Sequence, residues 1–252
     1  MALVSGTRTT RLGPHVHAAW SDASRGDLRP TGHGRDDGAP LAGLTVDLAA
    51  ATGARLDEVA WVTQVHGTGV AVVDAPTGAS VAGGVTCRHL GAFDALVATG
   101  PGTALCVLTA DCAPIALASP EGVIGAVHAG WRGLVDGVVE ATVAAMRDRG
   151  ATEVTAALGP CIHAPCYEFS PEDLATVEAV YGPTVRGTTT AGTPALDLPA
   201  GVAAAVAAAG ARMIQGPDLC TACADGQFSH RARADTGRQA LLVWSTHPGA
   251  RW

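Results

Sequence analysis

The chain has 252 residues, of which 48% are hydrophobic and 15% charged, with a formal net charge of −7. That is the composition of a globular protein with room for one large core or two small ones, and the acidic balance argues against a broad nucleic-acid surface. All 16 basic residues are arginine, which excludes a Walker-type phosphate loop, a pyridoxal Schiff base and a lysine general base.

In chain order, the opening MALVSGTRTTRLG lacks the continuous apolar stretch of a secretory signal. Residues 1–60 read as irregular apart from a helix over 44–53. From residue 60 the texture changes to short apolar strands: 61–65, joined through HGTG as a hairpin to 70–73, then 94–99, 104–109, 115–118 and 123–128. Val135, Val138, Val139, Thr142, Val143 and Met146 recur at three- and four-residue steps, predicting an amphipathic helix over 134–147. A strand over 154–158 leads into the loop GPCIHAPC. Helices follow over 171–181 and 199–209, each with proline near its first turn, and a strand over 240–244 comes last. The alanine-rich run 202–209 is too short to cross a bilayer. Seven cysteines, an odd number without an export signal, read as mostly reduced thiols of a cytoplasmic protein with no membrane partner. With no repeat, heptad or linker, the expectation is one mixed-sheet α/β domain over 1–252. Residues 1–58 form its divergent part and 59–252 carry its motifs.

Three strings carry the chemistry: QVHG at 64–67, TADC at 109–112 and AVHAGWRG at 126–133. They supply His66, Cys112 and His128, each following an apolar strand-like run, so the three are expected at neighbouring strand ends. Two imidazoles and a thiol suit zinc or copper. Three protein ligands also leave a fourth tetrahedral position for water or substrate, as in catalytic zinc sites. Each residue alone is more simply a packed polar group or a small hydrophobe; the three together favour metal. Gly130 and Trp131 precede Arg132, so HAGWRG reads as an anion site at a helix start, with Arg132 as a bidentate fork beside the metal. Asp111 and His163 are candidate proton carriers, and Glu168 a possible acid–base group. Ser229, Arg231 and Arg238 are offered to an anionic substrate by the tail FSHRARADTGRQ. CTAC at Cys220–Cys223 invites a redox or structural-zinc reading that Cys161 and Cys166 could in principle complete as a four-thiolate site. The spacings differ from the usual paired knuckles, however, and a lone CxxC is a weak signal; Cys161 and Cys166 lie in a loop expected to line the pocket.

The ordered set QVHG, DALV, TADCxP, AVHAGWRG, GPCI with CYEF, DLCTAC and FSHRARADTGRQALLVW resembles the YfiH-type family. That family is labelled both a multicopper polyphenol oxidoreductase (laccase domain) and a purine nucleoside phosphorylase with adenosine deaminase activity. The resemblance implies an α/β/β/α sandwich similar to cytotoxic necrotizing factor-like cysteine hydrolases. It implies zinc, or alternatively copper, on His66, Cys112 and His128, with catalytic roles for Cys112, His128, Arg132 and Asp111. Gln64, Gly130, Trp131, Cys166, Ser229 and Arg231 would contact a purine nucleoside and phosphate, in a monomer or small homo-oligomer. Where the family has SYRR this chain has Ser229-His230-Arg231-Ala232, and residues 11–40 resemble the family opening only faintly. The competing readings are a laccase-like copper oxidase, a Cys112–His128 amidase acting on peptidoglycan precursors, and a non-enzymatic zinc binder. One His₂Cys site cannot make the coupled copper cluster that reduces oxygen to water, and the sequence holds no second histidine set.

Overall fold

The computed structural model describes residues 4–30, 38–73 and 84–246, and in them two six-stranded sheets lie face to face. The first runs β1 (Thr7–Arg11), β2 (Val16–Ser21), β14 (Gln239–Ser245), β7 (Gly102–Thr109), β3 (Leu56–Thr63), β5 (Thr86–Ala92). The second runs β13 (Arg212–Ile214), β10 (Thr155–Leu158), β8 (Ala113–Ala118), β9 (Val123–Ala129), β6 (Ala95–Thr99), β4 (Val70–Val73). Both are mixed: β3 runs parallel to β5 and β7, β4 to β6 and β10 to β13, while the other pairs are antiparallel.

Side-chain alternation sets the layers. In β7, Leu105 and Val107 enter one apolar cluster, and Ala104, Cys106 and Leu108 another. In β9, Ile124 and Ala126 enter the first of these, and Val123 and Val127 a third. Successive strand residues point to opposite faces, so strands buried on both faces need apolar residues throughout. The shared cluster is the layer between the sheets. There Trp20, Leu105 and Leu241 of the first sheet meet Ala98, Ala116 and Ala126 of the second. Large against small lets the two faces interdigitate at close-packed density. Helix α1 (Ala39–Thr52) covers the outside of the first sheet through Leu41, Leu44 and Leu48. Helices α3 (Val138–Arg147), α4 (Pro171–Tyr181) and α5 (Leu198–Ala208), with the short α2 (Trp131–Val135), cover the outside of the second. The result is the expected α/β/β/α sandwich. No helix among the described residues is long and apolar enough to cross a membrane.

Several expectations need correction. The segment before residue 60 is not irregular: β1 and β2 pair along their length, and β2 is almost wholly buried. Polar β1 and β5 lie at sheet edges, where one-sided burial leaves no apolar run to read. HGTG does not close a hairpin, because β3 and β4 belong to different sheets and the segment crosses between them. The helix over 134–147 is two, α2 and α3, separated at Gly137, whose φ of 94° is left-handed. Helix α1 begins at Ala39, five residues earlier than expected, with Pro40 in its first turn. Part of the family-like opening, residues 31–37, lies outside the described residues.

Candidate metal centre

His66 lies just past β3, Cys112 in the link from β7 to β8, and His128 within β9. Since β3 and β7 belong to the first sheet and β9 to the second, the ligands come from the rims of two facing sheets rather than from neighbouring strand ends of one. His128 has the parity of Ile124 and Ala126, which face the first sheet, so the pleat of β9 aims its ring across the interlayer. The three ligand atoms lie within 4.8 Å of one another, with Cys112 Sγ 3.8 Å from His66 Nε2. His128 is buried, Cys112 partly exposed and His66 exposed, which leaves one side open.

Behind the imidazoles stands Asp94, at the start of β6 and fully buried. Its carboxylate accepts the backbone N–H groups of Val65 (3.2 Å), His66 (2.9 Å) and Gly67 (2.7 Å), and faces His128 Nδ1 at 2.8 Å. One carboxylate thus folds the QVHG turn, where His66 takes a left-handed φ of 62°, and orients the His128 ring with Nε2 free for a metal. Burial pushes the Asp94 carboxyl up, but the His128 hydrogen bond and the two N–H donors at Gly67 and His66 hold it below its ordinary value. Burial likewise pushes the Cys112 thiol up. The His128 charge and hydrogen bonds to both histidines outweigh it and bring the thiol down to about 6. Burial lowers His128, whereas the Cys112 thiolate and Asp94 raise it to about 9. A metal-free protein therefore carries a thiolate–imidazolium pair between those values.

The donor chemistry and the close packing both fit a metal. A Cβ at Gly130 would stand 2.6 Å from His66 Cδ2 and 3.3 Å from Cys112 Sγ. One at Gly133 would stand 2.8 Å from the Gly67 carbonyl oxygen. Both glycines let α2 press against the ligand loop. Gly130→Ala should accordingly lower the affinity of this site for a metal ion by at least tenfold by displacing His66, with little loss of secondary structure, as competitive chelator titration and circular dichroism would read.

The ligands open into a cavity of about 490 Å³ that is also lined by Arg29, Trp61, Gln64, His230 and Arg238. Gln64 is tied to the neighbouring strand: its Nε2 donates to the Leu108 carbonyl (2.5 Å) and its Oε1 accepts the Leu108 N–H (3.0 Å). Arg29 is paired with Asp27 at 2.6 Å, and Arg238 Nη1 donates to the carbonyls of Asp235, Thr236 and Gly237.

Other predicted site residues fall elsewhere. Trp131, Arg132, Cys166, Glu168 and Arg231 line a second groove of about 810 Å³, so Arg132 does not share the metal cavity. The reason is helical: Gly130 and Gly133, three apart, share the face against the ligand loop, while Arg132 stacks on Trp131 at 4.3 Å. Arg231 lies over the Tyr167 ring at 4.9 Å and donates to the Glu168 carbonyl. Ser229 is fully buried, and its hydroxyl caps α6 (His230–Arg233) by accepting the Ala232 N–H. Asp111, at φ 96°, accepts from Thr221 Oγ1 (2.6 Å) and the Arg231 N–H (2.7 Å), so both its oxygens fasten loops. His163 Nε2 lies 3.9 Å from the exposed Asp218. Sequence reasoning missed Asp94, Arg29 and His230 as site residues. The DALV string, an acid opening an apolar strand, was the signal for the first; the change from SYRR to SHRA was the signal for the third.

The family model described as multi-copper polyphenol oxidoreductase laccase matches residues 9–246. The chain is 40% identical over 247 residues to a Streptomyces griseus protein named purine nucleoside phosphorylase ORF3, covering 94% of this chain and 97% of the other. It is 42% identical over 214 residues to a Streptomyces coelicolor purine nucleoside phosphorylase, covering 84% of each. A Mycobacterium tuberculosis relative of the same name is 38% identical, over 94% of this chain and 90% of its own. Among solved structures, Neisseria meningitidis protein NMB0706 superposes with a TM-score of 0.70 at 26% identity, over 96% of this chain and 99% of the other. YlmD of Geobacillus stearothermophilus superposes with a TM-score of 0.71 at 26% identity, over 91% and 92%.

Proposed function

The chain belongs to the multi-copper polyphenol oxidoreductase laccase family, and we propose that within it this protein is a zinc-dependent purine nucleoside phosphorylase that also deaminates adenosine. The substrates are adenosine, inosine and methylthioadenosine, cleaved to the free base and a ribose 1-phosphate. The observation that carries the reading is the meeting of His66, Cys112 and His128 at one wall of a 490 Å³ cavity bearing Arg29 and Arg238. That volume suits a nucleoside. The names of relatives at 38–42% identity support the same class.

A zinc ion held by His66, Cys112 and His128 would supply a Lewis acid with one position open to water or substrate. The chain's own residues do the rest. Asp94 holds the His128 ring and the His66 turn, and Gln64 fixes the turn to β7. Arg29 and Arg238 favour the phosphate dianion at the cavity wall. In phosphorolysis a phosphate oxygen bonds to C1′ as the C1′–N9 bond breaks, and the base leaves with its electron pair and gains a proton. Arg132 and Arg231, in the neighbouring groove, act on whatever part of a ligand reaches it. Incubation with inosine should release hypoxanthine at a rate that rises with phosphate and saturates. Arg238→Ala should raise the phosphate concentration for half-maximal rate about tenfold or more while sparing zinc content.

One geometric observation favours a second reading. Cys112, His128 and Asp94 also stand in the order nucleophile, base and orienting acid, the arrangement of a cysteine amidase. Alkylation separates the two. A thiolate engaged by zinc labels slowly with iodoacetamide, whereas in chelator-treated protein Cys112 should label with a midpoint near pH 6, set by its lowered pKa. His128→Ala should move that midpoint upward, since the imidazolium charge is what lowers it. Rapid labelling of Cys112 in zinc-replete protein would favour the amidase.

A further inference from the structure

Away from the metal centre, Cys166, Cys220 and Cys223 bring three Sγ atoms within 4.8 Å of one another. All three are free thiols, and Cys166 Sγ lies 3.0 Å from Cys223 Sγ. Cys166 closes the 3₁₀ turn Ala164–Cys166, while Cys220 and Cys223 frame the tetrapeptide CTAC. A CxxC pair places two thiols on one turn, and the third arrives from a separate loop, a pattern suited to tetrahedral coordination. With zinc–sulfur bonds of about 2.3 Å, the edge of a tetrahedral thiolate set is about 3.8 Å; the Cys166–Cys223 pair is closer than that at 3.0 Å, and all three sulfurs lie within 4.8 Å of one another. The His163 N–H points at Cys220 Sγ from 3.4 Å, a donor that supports a thiolate. The metal centre described above uses none of these three.

We propose that Cys166, Cys220 and Cys223 form a second site for a thiophilic d¹⁰ cation, with Zn²⁺ as the test ion and the fourth position taken by water on the exposed Cys223 side. On binding, three S–H protons leave as three metal–sulfur bonds form. The site's place in the fold gives it a purpose. Thr221, between the two cysteines of CTAC, donates to Asp111 Oδ1, and the Ile162 N–H donates to the Asp111 carbonyl. Asp111 immediately precedes Cys112, so a cation joining the two cysteine loops clamps both supports of the strained residue beside the first metal ligand. The inference stands apart from the phosphorylase reading, because it uses different ligands and a different readout.

Elemental analysis of the full chain, purified with reductant and dialysed against limiting chelator, should find two zinc ions per chain. Cys220→Ser/Cys223→Ser should retain one, and His66→Ala should retain the other. Replacing zinc with Co²⁺ in the His66→Ala protein should give an intense thiolate-to-cobalt charge-transfer band. In Cys220→Ser/Cys223→Ser the band should fall to the weaker one of the single Cys112 thiolate. Should the double variant fail to fold, the exposed single change Cys223→Ala reads the same band. One zinc per chain in the wild type, abolished by His66→Ala, with no charge-transfer band in that variant, would overturn the proposal. So would a Cys166–Cys223 disulfide in protein isolated without reductant but under anaerobic conditions. Loss of zinc in the His66→Ala protein at one equivalent only, with phosphorolysis absent from wild type, would instead count against the proposed function alone.

Discussion

Asp94→Ala should unfold the protein more readily and strip its metal in a single step. The carboxylate is fully buried and receives three backbone N–H groups and the His128 ring. Its removal leaves the buried His128 Nδ1 and three part-buried backbone donors without a partner, at about 1–3 kcal/mol for each group left unsatisfied, offset where water enters. A net loss of about 3–5 kcal/mol is expected, which denaturant titration would read. Metal affinity should fall by roughly 10–100-fold even where the variant remains folded, because the His128 ring loses its orienting partner. Asp94→Asn separates the two effects. The amide oxygen keeps some of the N–H bonds but carries no charge to hold the ring, so stability should recover further than metal affinity. Wild-type zinc affinity in Asp94→Ala would show that His128 is not held for coordination.

Cys112→Ser should have the largest effect on activity, a fall on the order of a thousandfold or more. Serine keeps the shape but offers a hydroxyl that neither ionises near neutral pH nor binds a soft cation as thiolate does. Zinc at the first site should be lost with the activity. The same variant would also silence a cysteine amidase, so His66→Ala is the informative companion. His66 lies outside the Cys112–His128–Asp94 series, so an amidase would lose with it only one of the contacts that favour the Cys112 thiolate and would keep its nucleophile, base and orienting acid. The zinc reading predicts that His66→Ala is as damaging as Cys112→Ser. In metal-free wild type, protonation of Cys112 below about pH 6 and deprotonation of His128 above about pH 9 each dissolve the ion pair. Zinc affinity should therefore weaken as pH falls through about 6, where protons compete for the thiolate.

The candidate ligand set was legible because His66, Cys112 and His128 each end or nearly end an apolar run, and such runs in β3, β7 and β9 need no tertiary knowledge to be found. What the sequence could not reveal is that β9 belongs to the facing sheet, since sheet membership depends on pairings between distant segments. Asp94 went unseen for a related reason. An acid at a strand start reads as a turn residue, and its partners at Val65, His66, Gly67 and His128 lie about thirty residues away on either side. Arg132 was misplaced by inference from proximity in sequence. It stands only four positions after His128, yet the helical turn that aims Gly130 and Gly133 at the ligand loop leaves it lining the other groove. Ser229 offered a hydroxyl in a basic tail, and capping α6 took that hydroxyl out of reach. The buried central strands beyond residue 60 were readable, whereas buried β2 was lost in the polar opening, and β1, β5 and β13 carry polar residues at sheet edges and left no apolar signature.

In the proposed function, a metal held by His66, Cys112 and His128 serves phosphate-dependent cleavage of purine nucleosides. The direct measurement is hypoxanthine and ribose 1-phosphate release from inosine, over a phosphate series, in wild-type and His66→Ala protein of known zinc content. Phosphate-saturable release by the wild type that disappears in His66→Ala with about one equivalent of zinc is the predicted result. Undiminished release by zinc-depleted His66→Ala, or no release by zinc-replete wild type at any phosphate concentration, would contradict it.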